Sequence, residues 1–224
     1  MNLRWKVAQA AEIRWWKLYL RRKDPQEYLR RKAAYWRRVL KQAALELLPG
    51  QRILDAGCGP AGIFIILQEH KVDALDPLLP LYEAGLPHFQ PRQYPNVRFL
   101  PVPLEDFQPG PVYDTVFCLN VINHVGRLGQ ATDALAQGLR PGGRLVLSVD
   151  THNFQFLKKL FQLLPGDILH PHQFSLLDYQ RLLEQRGLIL ERTVRMKRGL
   201  IFDDHLMVLS QPFNLPPASL SASS

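Results

Sequence analysis

Residues 51–62 read Gln-Arg-Ile-Leu-Asp-Ala-Gly-Cys-Gly-Pro-Ala-Gly, an apolar strand that ends on a carboxylate and turns at once through glycines. A junction of this kind commits a chain to an α/β layout with a ligand beyond the strand's C-terminal end, because glycines let backbone approach a bound group closely. Taken literally, Gly57, Gly59 and Gly62 satisfy the G-x-G-x-x-G pattern of dinucleotide binders. Asp55 argues against that ligand. A carboxylate two residues before the first glycine repels a pyrophosphate and attracts a cation. A second apolar stretch, residues 72–75, ends in Asp76, 21 residues beyond Asp55. That separation suits one strand–helix–strand unit, and an acid placed there accepts ribose hydroxyls.

These residues resemble the first motif of the class I S-adenosylmethionine (SAM)-dependent methyltransferases, in their small-molecule branch. That motif is an acidic residue, one spacer, then Gly-Cys-Gly with further small residues. Asp55, Gly57, Cys58 and Gly59 align with it, and Asp76 aligns with the family's ribose-binding acid. Ala61 stands where the commonest form has a third glycine, and Gly62 follows it. The resemblance runs over about residues 50–210 and is strongest over 52–76. It implies an enzyme that uses SAM, releases S-adenosyl-L-homocysteine, and has a Rossmann-like, doubly wound, mainly parallel seven-stranded sheet with an antiparallel last strand. The ammonium and sulfonium of SAM match the sign set by Asp55.

The hydrophobic pattern agrees with an α/β class. Strands are expected near 52–55, 72–75, 97–102, 113–119 and 143–149, and helices near 61–69, 128–138, 153–163 and 175–186. Prolines 77, 80, 87, 91 and 95 argue against a long helix over 77–96. After Gly187, residues 188–196 and 201–209 read as a hairpin turning at 197–199, an ending that dinucleotide-binding domains generally lack. Three regions are expected: an N-terminal basic, Trp-rich helical extension (1–49), a SAM-binding methyltransferase domain (50–211) and a flexible tail (212–224).

The extension holds thirteen Lys or Arg against Glu12, Asp24, Glu27 and Glu46, whereas the remainder carries 15 cations against 16 anions. All four tryptophans, Trp5, Trp15, Trp16 and Trp36, lie in it. Residues 3–22 interleave apolar and basic side chains as an amphipathic helix does, and Asp24-Pro25-Gln26-Glu27 supplies an N-cap, a first-turn proline and a capping-box acid for a second helix. Three uses suit this composition: a lid or homodimer arm, contact with an anionic membrane surface, and nucleic-acid binding. No apolar run reaches the roughly 18–20 residues of a membrane span, and the start lacks the pattern of a signal peptide, so a soluble, cytoplasmic protein is expected. Cys58 and Cys118 have no metal-ligand spacing and read as reduced packing residues, and no metal site is expected.

Further site residues come from the resemblance. It implies Leu104 as an apolar face for the adenine ring, Glu105 as a polar edge contact, and Asn120 as a contact near the methionine part of SAM. Pro103 departs from a position often acidic in the family. His124, in the segment after the fourth strand, is the candidate catalytic base. His152, His170 and His172 are candidate substrate contacts, with helix capping at Ser175 as the structural alternative for the last two. Methyl transfer is an in-line displacement, so alignment and water exclusion carry much of the rate, and a base is needed only where the acceptor loses a proton. The reading reached is a SAM-dependent methyltransferase acting on a small, hydrophobic or lipid-like acceptor. The alternatives are an RNA-directed methyltransferase or RNA-binding protein using the basic segment, and an NAD-dependent oxidoreductase.

Overall fold

The computed structural model describes residues 3–152, 175–198 and 202–213. Two helices, α1 (Leu3–Leu20) and α2 (Pro25–Ala43), precede the sheet. Asp24 caps α2 by accepting from the Glu27 N–H at 2.8 Å, with Pro25 in the first turn. The Glu27 carboxylate turns outward to pair with Arg31, one helical turn on.

The sheet comprises β1 (Arg52–Ala56), β2 (Lys71–Leu75), β3 (Val97–Leu100), β4 (Tyr113–Cys118), β5 (Leu139–His152), β6 (Ile189–Arg198) and β7 (Phe202–Ser210). Its order is β3-β2-β1-β4-β5-β7-β6. Strands β1 to β5 pair in parallel, and β7 lies antiparallel between β5 and β6. The expected seven-stranded sheet and closing hairpin are therefore present. Helices α3 (Leu79–Gly85), α4 (Leu128–Gly138) and α5 (Leu176–Glu184) complete the described elements. Ser175 caps α5 in a full capping box with Asp178. The helix expected over 153–163 lies outside the described residues.

One expectation fails. Residues 61–69 form no α-helix; two short 3₁₀ turns, Gly59–Ala61 and Ile63–Ile66, occupy the β1–β2 connection. Pro60 and Gly62 interrupt the run, and Ile63, Ile65 and Ile66 are β-branched, which disfavours helix. The turn is also pinned from below. Phe64 N–H donates to Asp55 Oδ2 at 3.1 Å, and a Cβ at Gly62 would collide with that same oxygen.

Alternation along the strands sorts the core onto two faces. Leu54, Ala56, Leu75, Val116, Cys118, Leu145 and Leu147 meet α4 and α5. On the opposite face Ile53, Val72, Ala74, Phe117 and Val146 meet Phe64 and the buried side of α1 and α2, through Leu20, Tyr28, Trp36 and Val39. Asp55 shares parity with Ile53, and Asp76 with Val72 and Ala74. Both acids thus fall on the face that the N-terminal helices cover.

Candidate cofactor site

The glycine turn wraps back onto the end of β2. Gly57 and Cys58 both donate their N–H to the Leu75 carbonyl, at 2.7 and 3.0 Å, which places Gly59 beside Asp76. Gly57 and Gly59 have φ of 73° and 57°, the left-handed region. At Gly57 any Cβ would also run into Val121, so glycine is required twice over. Asp76 accepts from Gly59 N–H at 3.0 Å and from Leu78 N–H at 2.8 Å.

Asp55 and Asp76 are almost fully buried. Burial, the largest cause, pushes each carboxyl up to about 7. For Asp55 the Phe64 N–H opposes this, Asp76 adds to it, and Lys32 opposes it. For Asp76 the Leu78 and Gly59 N–H groups oppose it, while Glu12 of α1 adds to it. Two buried acids with few donors, beside a glycine cradle, form a site short of positive charge. The buried Tyr82 hydroxyl lies beside Asp76 and adds a further, smaller downward pull on that carboxyl. A ligand that carries both positive charge and hydroxyl groups would supply what these acids lack.

The N-terminal helices roof this turn. The Trp16 indole faces Gly59, at 3.8 Å from the position a Cβ would take, and lies edge-on to Tyr82. Trp36 Nε1–H donates to the Ala61 carbonyl at 3.0 Å. The Lys32 ammonium sits 4.3 Å over the Trp36 ring, and burial pushes it down to about 8 against the opposing pull of Asp55. Lys32, Trp16, Trp36 and Tyr82 were not singled out as site residues from sequence. The signal available was the i, i+4 pairing of Lys32 with Trp36 and of Glu12 with Trp16, which puts each polar group and indole on one helix face. Glu12 does accept from Trp16 Nε1–H, at 3.4 Å.

Beyond β4, Asn120 adopts a left-handed φ of 59°. Its N–H donates to Ser148 Oγ at 2.7 Å, and that hydroxyl donates to Asn120 Oδ1 at 3.1 Å. β5 thereby fixes the start of the post-β4 segment. Leu104 is buried, and the Glu105 carboxylate accepts from Gly126 N–H at 3.0 Å, tying the post-β3 turn to the post-β4 loop. Arg127 pairs with Asp106 across the same two loops. His124 is exposed in that loop, and neighbouring Asn123 accepts from the Tyr179 hydroxyl of α5 at 2.8 Å. The backbone of His152 ends β5, paired with Phe202. His170 and His172 lie outside the described residues. Cys58 and Cys118 are buried free thiols, both pushed up by burial.

A cleft of about 570 Å³ opens at the opposite ends of the strands among Arg52, Lys71, Asp73, Asn96, Arg98 and Asp114. There Asp73 accepts from Arg98 at 2.7 and 2.8 Å and from the Tyr113 hydroxyl at 2.6 Å. Its central carboxylate is matched within the protein, as the acids of the glycine turn are not.

A methyltransferase-domain family model matches residues 26–192, and the chain belongs to that family. Among curated relatives, the ubiquinone biosynthesis O-methyltransferase of Rickettsia prowazekii (strain Madrid E) is 32% identical over 99 residues, 43% of this chain and 39% of the relative. The tRNA U34 carboxymethyltransferase of Syntrophotalea carbinolica (strain DSM 2380 / NBRC 103641 / GraBd1) is 35% identical over 120 residues, 50% of this chain and 37% of the relative. Each match spans less than two fifths of the relative's own length. Geranyl diphosphate methyltransferase, solved in complex with SAM, shares the fold with a TM-score of 0.64 at 17% identity, over 80% of this chain and 85% of that one. The 1,6-didemethyltoxoflavin-N1-methyltransferase of Burkholderia thailandensis, solved with S-adenosylhomocysteine, gives 0.58 at 19% identity, over 82% and 78%.

Proposed function

We propose that this chain binds SAM at the Asp55–Gly59–Asp76 turn and transfers its methyl group to a small, hydrophobic acceptor held beneath the N-terminal helices. The observation that carries the reading is the pair of buried, poorly compensated acids at the ends of two adjacent strands, on the face covered by α1 and α2. When bound, SAM supplies a methyl group already activated on a sulfonium. Asp55 would hold the positive end of the donor, and Asp76 would accept from the ribose hydroxyls, with Gly57, Cys58 and Gly59 giving close backbone approach. Leu104 would present an apolar surface to the adenine, and Asn120, fixed by Ser148, would bound the methionine end. Glu105, whose carboxylate is engaged by Gly126, would hold the post-β4 loop in register while its second oxygen meets the ring edge.

Trp16 and Trp36 would exclude water from the reacting atoms, which strengthens every charge interaction there. For an acceptor that loses a proton, His124 is the group on the post-β4 loop suited to take it. Calorimetry with SAM, S-adenosylhomocysteine and NADH tests the proposal. Binding of the first two and not the third is expected; an intact, folded protein that binds neither SAM nor S-adenosylhomocysteine removes it.

The tRNA-modifying relatives and the basic extension favour one second reading, an RNA acceptor. It requires tRNA affinity that falls steeply with salt. A titration at low ionic strength with no association removes it.

A further inference from the structure

Helix α1 has two working faces. Ile13, Trp16 and Leu20 point inward to the core and the glycine turn. On the opposite side Arg14, Trp15, Leu18 and Arg22 follow at helical spacing, with Ala11 one turn earlier, and no acid interrupts them. Trp15 is 52% exposed, Leu18 63% and Tyr19 42%, and Leu81 on neighbouring α3 adds an apolar side chain 47% exposed. Large apolar groups this open, flanked by exposed Arg14, Lys17, Arg21 and Arg22, mark a docking face.

We infer that this outer face of α1 docks on an anionic lipid bilayer, with Trp15, Leu18 and Tyr19 entering the headgroup boundary and the flanking cations pairing with lipid phosphates. Charge complementarity selects the occupant. Residues 1–49 carry an excess of nine cations while the rest of the chain is near neutral, so the field of the molecule points one way. A second copy of the chain is disfavoured, because a two-fold contact would set this basic face against itself. The ring faces also speak against nucleic acid. Trp15 and Tyr19 stack on each other at 4.8 Å with planes 8° apart, and the Lys23 ammonium sits 3.1 Å over the Tyr19 ring. The two rings thus cover one another, Tyr19 also carries the Lys23 ammonium, and Leu18 has no stacking surface, whereas a membrane interface accepts ring edges and aliphatic tips.

The inference extends the methyltransferase reading, because the inner face of the same helix roofs the cofactor turn, and a bilayer-bound amphiphile would reach the site across it. The docking itself stands apart from that reading. The test is co-sedimentation of the full chain with vesicles of phosphatidylcholine alone and of phosphatidylcholine with one third phosphatidylglycerol, each at low and high salt. Expected are binding to the anionic vesicles alone, loss at high salt, and a weakening of roughly tenfold or more for Leu18→Gln, given the worth of one inserted side chain. A second variant, Arg14→Gln with Arg22→Gln, is expected to weaken binding and flatten its salt dependence. Circular dichroism and a cooperative thermal melt, recorded on every protein, report the fold, and S-adenosylhomocysteine binding is measured separately. No association with anionic vesicles at low salt overturns the inference. So does unchanged binding by Leu18→Gln, a dimer in light scattering that this variant dissolves, or tRNA binding in place of vesicle binding. Vesicle binding by a protein that does not bind S-adenosylhomocysteine supports docking and removes the methyltransferase reading instead.

Discussion

At the residue scale, the two buried acids would make the proposed cofactor binding at the turn a proton-linked event. Burial pushes both carboxyls up to about 7, against 3.8 as the ordinary value. A donor bearing positive charge would draw both down, so affinity should rise between pH 5.5 and 8 with release of protons, visible as buffer-dependent heats in calorimetry. Stability without added ligand should respond to pH in the opposite sense. A carboxyl raised by folding keeps its proton where the unfolded chain has lost it, so its contribution is fullest below about pH 4 and is lost as pH climbs towards 7. Melting curves without ligand should therefore shift down over that interval, and saturating S-adenosylhomocysteine should cancel much of the shift. On the proposed reading, Asp76→Ala removes the acceptor for two ribose hydroxyls. At about 1.5–3 kcal/mol for each hydrogen bond to a charged group, a loss on the order of 10²-fold or more in SAM affinity is expected by titration.

At the scale of elements, α2 is latched to the glycine turn by one donor, Trp36 Nε1 on the Ala61 carbonyl. Trp36→Phe keeps the ring and deletes the bond, so chemical denaturation should show a loss of about 1–3 kcal/mol. Gly57→Ala places a methyl against Val121 at a left-handed φ, and a comparable or greater loss is expected from the same measurement. The strands were legible because apolar runs bounded by acids and glycines have few alternatives, and the hairpin of β6 and β7 because its turn residues and alternation agree. The 61–69 segment misled because its apolar content suits a helix, while Pro60, Gly62 and the grip of Asp55 on Phe64 favour tight turns. The placement of Asp55 and Asp76 at the ends of two adjacent strands is legible from the apolar runs that precede them. That of Lys32, Trp16 and Trp36 is not, because it depends on how a separate helix pair docks, which no local pattern specifies. The Glu105–Gly126 tie was hidden for the same reason: it links two loops 21 residues apart.

At the scale of the whole molecule, binding at the turn should stabilise everything packed around it, since the acids, the glycine cradle and both N-terminal helices share one contiguous core. A ligand at a hundred times its dissociation constant contributes about 2.7 kcal/mol, which for a chain of this size corresponds to a rise of roughly 5–10 °C in Tm. Differential scanning fluorimetry with S-adenosylhomocysteine checks it, and Asp76→Ala should abolish the rise. The missing helix between β1 and β2 has a practical consequence for anyone trimming this gene. Leu20, Tyr28, Trp36, Val39, Ala43 and Leu45 upholster the wall that such a helix would otherwise line. An expression clone starting at the signature motif would leave Ile53, Phe64 and Phe117 wet, and its product should clump in the test tube rather than yield a minimal catalyst.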